Sequence, residues 1–243
     1  MKLLKNTISL TKNIFTLSHK MFHSKNYKIK INSECFSKSS LFKNYLIGKR
    51  FSIFVKTLET PNPNFLKFLP GKPILPEGET YDISNKTNAL VSPLATKLFE
   101  IKGVTRVFYA NEYISVGKEE LVDWADLKPM IIDEIVKNFT NDINIFLEKP
   151  EDNSDYNEND SEVVKLIKEI IAARIRPVVQ EDGGDIKFFE FDEEKGIVYL
   201  EMKGSCSGCP SSGVTLKNGI EKMLTHYVAE VKSVEQVEED INE

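Results

Sequence analysis

Two cysteines near the carboxyl end of the chain, Cys206 and Cys209, have the type and spacing that could bind a metal or exchange electrons. They lie in the run G-S-C-S-G-C-P-S-S-G, which begins at Gly204 and contains no charged and no bulky side chain. Metals are bound by thiolates rather than thiols. Pro210 and Ser211 predict the start of a helix directly after the cysteines, and its positive dipole end would favour the thiolate form.

The glycines of this loop leave room beside the sulfurs. We expect Gly204 and Gly208 to let backbone N–H groups approach and donate hydrogen bonds to thiolate or to inorganic sulfide. A C-x-x-C pair alone leaves three interpretations open: metal or cluster binding, a redox dithiol, and an incidental pair. The thioredoxin-like interpretation loses weight because such motifs belong to a βαβ unit, whereas this pair follows a predicted hairpin late in the chain.

The number of available ligands predicts how a metal would be held. Cys35 lies in an amino-terminal segment that we expect to be removed, which leaves two cysteines and one histidine, His226. An iron–sulfur cluster normally takes four thiolates, and structural zinc takes four ligands. His226 is predicted to lie on the order of 20 Å along the following helix, so we interpret it as a solvated surface residue. Two chains meeting at the cysteine loop would supply four sulfurs, which predicts a cluster-bridged homodimer.

The amino-terminal segment differs in charge from the rest of the chain. Residues 1–50 carry eleven basic residues and one acidic residue, a net charge of +10, so that the remainder carries −15 of the total of −5. A basic leader that is rich in Ser and Thr and lacks a continuous apolar core is typical of a mitochondrial presequence. We therefore predict a transit peptide over residues 1–51, with cleavage in K-R-F-S, and a location in the mitochondrial matrix.

The acidic body excludes two classes of partner. A charge of −15 repels phosphate backbones, so nucleic acid is not an expected partner. Charges interrupt every apolar stretch after residue 52, and none reaches the roughly 18 apolar residues that a membrane span needs. The protein is not expected to insert into a membrane.

The pattern of the body predicts an α+β fold with two small α/β-sandwich-type domains. In residues 52–148 we predict strands at 53–58 and 65–68, a helix from Ser92-Pro93 to Gly103, a hairpin over 104–117, a helix over 126–139 and a closing strand over 143–147. Residues 149–160 hold five carboxylates and no aliphatic residue, which predicts a flexible acidic linker.

The second domain, residues 161–238, is predicted to have the order α-β-β-α-β. Its elements are a helix ending near Pro177, a hairpin over 186–202, a helix over 211–227 with Ile220, Leu224 and Tyr227 facing inward, and a last strand over 229–237. Residues 239–243 form an acidic tail.

Two longer motifs resemble one family. The run P-V-V-Q-E-D-G-G-D-I-K-F-F from Pro177, followed by G-S-C-S-G-C-P-S-S-G-V-T-L-K-N-G-I-E from Gly204, resembles the NifU-like carboxyl-terminal domain of Nfu iron–sulfur proteins. The run L-E-T-P-N-P-N-F-L-K-F from Leu58 resembles the amino-terminal domain of mitochondrial Nfu proteins. Together the resemblance covers about residues 53–238.

The resemblance implies a scaffold or carrier rather than an enzyme. It implies a [4Fe–4S] cluster, or alternatively a [2Fe–2S] cluster, that is bridged between two chains by Cys206 and Cys209 and passed to mitochondrial apo-proteins. Such clients would include lipoyl synthase and aconitase-like or respiratory enzymes, and the donors would be upstream cluster-assembly proteins. A dithiol redox protein and a zinc-stabilised adaptor remain the alternatives. The Pro-Asn segment and the apolar faces of the amino-terminal domain are interpreted as turn and core.

Overall fold

The computed structural model describes residues 53–147, 159–207 and 212–237, and for residues 212–215 it describes the backbone alone. The described residues belong to one compact unit of the chain. The predicted transit peptide, most of the predicted linker, Gly208, Cys209 and the acidic tail lie outside them.

An antiparallel sheet covered by helices forms the amino-terminal module, residues 53–147. Its strands are ordered β1-β2-β5-β4-β3. Alternate residues of the central strands pack with the two helices in one apolar cluster, as the two-residue period of a strand requires. The elements are β1 (Lys56–Glu59), β2 (Phe65–Leu69), β3 (Tyr81–Ile83), α1 (Pro93–Glu100), β4 (Val104–Tyr109), β5 (Ile114–Lys118) and α2 (Trp124–Thr140).

The predicted helix after Ser92 is confirmed. Ser92 caps it, because its hydroxyl oxygen accepts a hydrogen bond from the Ala95 N–H at 3.2 Å, and Pro93 occupies the first turn, where no N–H is needed. Leu94 and Leu98 are buried. The predicted hairpin and the predicted second helix are present as β4, β5 and α2.

The closing strand predicted over residues 143–147 is wrong. Its backbone bonds are those of a turn and a loop, from the Ile143 N–H to the Asn138 carbonyl oxygen at 3.1 Å and from the Leu147 N–H to the Val91 carbonyl oxygen at 2.9 Å. Its Phe146 ring packs edge-on against the rings of Tyr81 and Tyr109, with centroid distances of 5.2 and 5.1 Å. The segment is therefore fixed by side-chain packing, and β3, which the sequence did not predict, pairs with β4 at the edge of the sheet.

The carboxyl-terminal module has the predicted order α-β-β-α-β, and the mixed helix and sheet class is confirmed. Strand β7 lies at the centre of its sheet, antiparallel to β6 and parallel to β8. The elements are α3 (Glu162–Ile170), a π-helical turn (Ile171–Ile175), α4 (Arg176–Glu181), β6 (Gly184–Asp192), β7 (Ile197–Gly204), α5 (Ser212–Tyr227) and β8 (Ser233–Val237).

Two predicted details of this module are wrong. The first helix does not end near Pro177, because the π-helical turn widens the backbone and places the proline in the first turn of α4, where its missing N–H is tolerated. Tyr227 does not face inward but is 45% exposed, since the next residue, Val228, fills the core. Ile220 and Leu224 are buried as predicted.

The sequence predicts no insertion into a membrane. Among the residues that the structure describes, no helix is both long and apolar enough to cross a bilayer.

Candidate functional site

Cys206 lies in a tight turn that begins where β7 ends. The Cys206 N–H donates to the Lys203 carbonyl oxygen at 3.3 Å, and the Ser207 N–H donates to the Gly204 carbonyl oxygen at 3.1 Å. The residue is 5% exposed and joins the apolar cluster of its own module. Its predicted partner, Cys209, lies outside the described residues, so the pairing of the two sulfurs stays a prediction. The same holds for the helix dipole, since α5 is described from Ser212 onward.

Two glycines make this turn possible, one of which the sequence did not single out. A Cβ on Gly184 would lie 2.6 Å from the Cys206 Sγ and 2.5 Å from the Lys203 carbonyl oxygen, so the sulfur packs directly on the backbone of β6. Gly204 has a φ of +59°, and a Cβ there would lie 2.8 Å from Cγ of Phe108. Its N–H donates to Asp82 at 3.3 Å. The room at Gly204 thus accommodates an aromatic ring, and the expected N–H donors to sulfur stay a prediction.

The cysteine turn is hydrogen-bonded to the amino-terminal module through Arg106. Its guanidinium donates from Nε to the Asp82 Oδ1 at 2.9 Å and from Nη1 to the Ser207 Oγ at 2.7 Å. The side chain of Asp82 is 3% exposed and that of Arg106 12% exposed. A buried carboxylate paired with a planar guanidinium is geometrically specific. The pair therefore fixes the position of Ser207, which lies between the two cysteines in sequence.

Asn62, from the predicted Pro-Asn turn, contacts the same loop. Its Nδ2 donates to the Ser205 carbonyl oxygen at 3.0 Å, and its Oδ1 accepts from the Asn64 N–H at 3.0 Å. Asn62 is 2% exposed. The interpretation of this segment as a turn is confirmed, and in addition it supports the backbone of the cysteine loop.

A second charged cluster lies at the beginning of β6. Asp185, which is 2% exposed, accepts from Arg176 Nε at 2.9 Å and Nη2 at 2.7 Å. It also accepts from the hydroxyl of Thr80 at 2.7 Å. These contacts join the start of β6, next to Gly184, to the loop before β3.

Tyr113 and Lys67 bond to the end of α4. The Tyr113 hydroxyl donates to the Gln180 carbonyl oxygen at 2.6 Å, and the Lys67 ammonium donates to the Glu181 carbonyl oxygen. Burial raises the pKa of Tyr113 well above its ordinary value, and the charges of Asp185 and Cys206 add to the shift. Burial lowers the pKa of Lys67. Tyr113 therefore stays a neutral hydrogen-bond donor at physiological pH.

The structure separates His226 from this region, as the sequence predicts. It is exposed, and its ring packs edge-on against Tyr227 at the end of α5, with centroids 4.9 Å apart. Within residues 53–147, 159–207 and 212–237, no group of three or more His, Cys, Asp or Glu side chains is placed to hold a metal ion.

Sequence reasoning missed the residues that the amino-terminal module contributes. Arg106 and Ser207 are 101 residues apart, and Asn62 and Ser205 are 143 residues apart. Strand periodicity assigns a residue to one face of a sheet but does not identify what covers that face. The available signal was the T-P-N-P-N turn. An Asn side chain in a turn bonds its own backbone two residues on, and the amide nitrogen of Asn62 then donates to a second loop.

Comparison with known proteins gives two family-model matches and many relatives. The model "Scaffold protein Nfu/NifU N terminal" matches residues 55–142, and the model "NifU-like domain" matches residues 167–235. "NifU-like protein 4, mitochondrial" of Arabidopsis thaliana is 48% identical over 196 residues, which cover 79% of this chain and 69% of that protein. "NFU1 iron-sulfur cluster scaffold homolog, mitochondrial" of Drosophila persimilis is 49% identical over 195 residues, which cover 80% of this chain and 68% of that protein.

A solved structure also matches part of the chain. The solution NMR structure of a NifU-like protein from Saccharomyces cerevisiae is 24% identical, covers 52% of this chain and 98% of that chain, and has a TM-score of 0.38. The fold assignment rests on the helices and strands of the chain itself.

Proposed function

This chain belongs to the Nfu family of NifU-like iron–sulfur scaffold proteins, and on that premise we propose that it carries a [4Fe–4S] cluster between two copies of itself. The cluster is the cargo, and Cys206 and Cys209 of each chain are its four thiolate ligands. The protein is mitochondrial, as its close relatives are named, and it acts as a scaffold rather than as an enzyme. Its clients are mitochondrial apo-proteins that need such a cluster.

One observation carries this proposal: the Cys206 sulfur lies directly on the Gly184 backbone, at the start of a loop with no charged side chain. Gly184 and Gly204, which lie beside the sulfur, carry no side chain that a cluster would have to displace. A chain with two cysteines after its leader supplies half of the four thiolates that a cluster needs. A second copy supplies the other half, and release of the cluster would then separate the two chains.

Anaerobic reconstitution of the chain with iron and sulfide tests the proposal. We expect about two irons and two sulfides per chain, since four of each are shared by two chains, together with a shift from monomer to dimer mass. Cys206→Ser and Cys209→Ser should each abolish cluster uptake and the shift in mass. Cys35→Ser, made in the full-length precursor, is the matched control and should keep both.

Three results would contradict the proposal. A double Cys206→Ser, Cys209→Ser variant that still binds stoichiometric cluster would refute the ligands. A colourless protein that retains zinc through purification would indicate a zinc-stabilised adaptor. Turnover of a disulfide substrate without iron would indicate a dithiol oxidoreductase.

A further inference from the structure

The face of the amino-terminal sheet opposite its helices is covered by the other module. Directly paired residues point to the same side of a sheet, and Asp82, Phe108, Ser115 and Lys67 form one such row across β3, β4, β5 and β2. We call this row the docking face. Phe108 and Ser115 are both 0% exposed although neither belongs to the core beneath the helices. The centre of the docking face, Phe108 and Ser115, is therefore buried by contacts from outside its own module.

The docking face and the residues next to it are hydrogen-bonded at three points to the cysteine loop, which is residues 204–207. Asp82 accepts from the Gly204 N–H, Asn62 donates to the Ser205 carbonyl oxygen, and Arg106 donates to the Ser207 hydroxyl. Phe108 packs where a side chain at position 204 would be. Of the four residues from 204 to 207, the three other than the cysteine are bonded to the amino-terminal module, and Cys206 itself is buried between them.

A second set of contacts holds the turn before β6. Lys67 and Tyr113 donate to the carbonyl oxygens of Glu181 and Gln180. Thr80 donates to Asp185. These bonds place the turn over Ser115, whose hydroxyl lies 3.0 Å from where a Cβ on Gly183 would be.

Ser115 indicates that this contact is made to be reversible. Its hydroxyl is buried, and among the described residues it has no hydrogen-bond partner. Such a group is satisfied by water as soon as the two surfaces separate, so it favours the open arrangement. The contacts that favour the closed arrangement are mostly polar, and their groups would likewise be hydrated on opening. An interface of this composition resembles a transient one rather than a permanent core.

We propose that the docking face is an internal cover for the cysteine loop, closed in the cluster-free chain and withdrawn when two chains share a cluster. This inference rests on the proposed function. A bridging cluster requires the Cys206 sulfurs of two chains to face each other, whereas here the loop on both sides of Cys206 is bonded to the sheet. Closure and bridging therefore compete, and the cover protects the thiol of the cluster-free chain.

A zero-length carbodiimide cross-link reports the closed state. The Lys67 ammonium lies close enough to the carboxylates of Asp182 and Glu181 for their charges to oppose the lowering of its pKa by burial. Closure should therefore give a cross-link between Lys67 and one of these two carboxylates, which belong to the other module. Lys195 and Asp192, whose charged atoms are 2.9 Å apart within one module, provide the internal control. We expect the first cross-link to fall at least tenfold, relative to the second, when the full mature chain is loaded with cluster. An unchanged ratio in the loaded dimer would overturn the cover.

Two substitutions at one position test the same state without a cluster. Ser115→Arg places a bulky charged side chain on the docking face, so it should lower the cross-link ratio at least tenfold in the cluster-free chain and accelerate cluster uptake. Ser115→Ala removes only the unpaired hydroxyl, so it should keep the ratio and slow the uptake. Equal ratios and equal uptake rates for the two variants would overturn the cover.

A milder pair of variants tests the same proposal independently of whether Ser115→Arg folds. Tyr113→Phe deletes one hydrogen bond, worth about a fivefold change in the equilibrium between closed and open chains, and should lower the cross-link ratio. Tyr81→Phe, on the opposite side of the sheet, should not, and equal ratios for the two would overturn the cover. Iron and sulfide measured on the same samples separate the two failures. Uptake without loss of the cross-link overturns the cover alone, whereas no uptake overturns the proposed function and, with it, the reason for a cover.

Discussion

Substitution of Gly184 by Ala tests whether the position of the Cys206 sulfur depends on the backbone beneath it. The φ of Gly184 is not positive, so alanine adopts its conformation without backbone strain. The effect of the change is therefore steric. The added Cβ would lie 2.5 Å from the Lys203 carbonyl oxygen, 2.6 Å from the Cys206 Sγ and 3.0 Å from the Cys206 nitrogen.

The geometry sets the size of the expected effect. Optimal non-bonded separations are about 3.5–4.0 Å between carbon atoms, so two neighbouring atoms would each have to move by roughly 1 Å. Overpacking of this kind costs about 1–3 kcal/mol. The Lys203 carbonyl belongs to β7, whose Gly204 pairs with Gly184 itself, so relief requires movement of the sheet. We therefore expect the upper end, a loss of about 3 kcal/mol in the free energy of unfolding.

Urea unfolding of the cluster-free mature chain, followed by far-ultraviolet circular dichroism, measures this loss. Gly219→Ala is the matched control, because Gly219 is an exposed position of α5 where an added Cβ would have nothing within 4 Å. It should gain about 0.5–1 kcal/mol, since glycine is unfavourable in a helix interior. Gly184→Ala should also reduce cluster uptake, because the cysteine turn is displaced, whereas Gly219→Ala should not.

The reasoning would be refuted by a Gly184→Ala chain that loses less than about 0.5 kcal/mol, the usual range for surface substitutions. It would also be refuted by full stability loss with unchanged cluster uptake, since the turn would then be independent of β6. A change in the denaturant slope would indicate that the two modules no longer unfold together.

Two further predictions concern the charged and hydroxyl groups at the module contact. Arg106→Met should lower the free energy of unfolding by about 3 kcal/mol, because it leaves the buried carboxylate of Asp82 without its guanidinium partner, and adding Asp82→Asn should restore part of the loss in the same urea assay. Burial raises the pKa of Tyr113 in the folded chain, so its stabilisation is complete below the unfolded value of about 10 and is lost as pH rises above it. Tyr113→Phe should therefore reduce the loss of urea midpoint between about pH 9 and pH 11, and an identical pH dependence in both chains would contradict the assignment.

Local signals in the sequence predicted most of the helices and strands. The Ser92-Pro93 pair fixed the start of α1, because a hydroxyl cap and a proline in the first turn are sufficient information for a helix start. Alternation predicted β6 and β7, and the turn residues Asn111 and Glu112 predicted the hairpin of β4 and β5. Each of these signals lies within a few residues of the structure that it determines.

The errors have a common physical cause, which is that packing between distant segments decided the outcome. Residues 143–147 alternate like a strand, but Phe146 is held by the rings of Tyr81 and Tyr109 rather than by a ladder of hydrogen bonds. Pro177 ends a regular α-helix, yet a widened turn before it allows the helix to continue.

The sequence predicts the cysteine positions of the candidate site, and the role of their sulfurs stays a prediction. The residue type and spacing of the cysteines, and the glycines around them, are readable from the sequence. The support from Asn62, Asp82 and Arg106 is not, because it comes from the opposite half of the chain. A pattern could show that Phe108 and Ser115 alternate with core residues, but not that another module covers them.

The π-helical turn Ile171–Ile175 sets the direction in which the side chains of α4 point around the helix axis. Each residue of an α-helix advances by about 100° around the axis, so a turn widened by one residue rotates α4 by that angle relative to an uninterrupted helix. In this orientation Val179 is 1% exposed in the core, and Arg176 reaches the carboxylate of Asp185. Removing a single residue from the turn would restore a regular α-helix and rotate the Arg176 guanidinium by about 100° around the helix axis, away from that carboxylate.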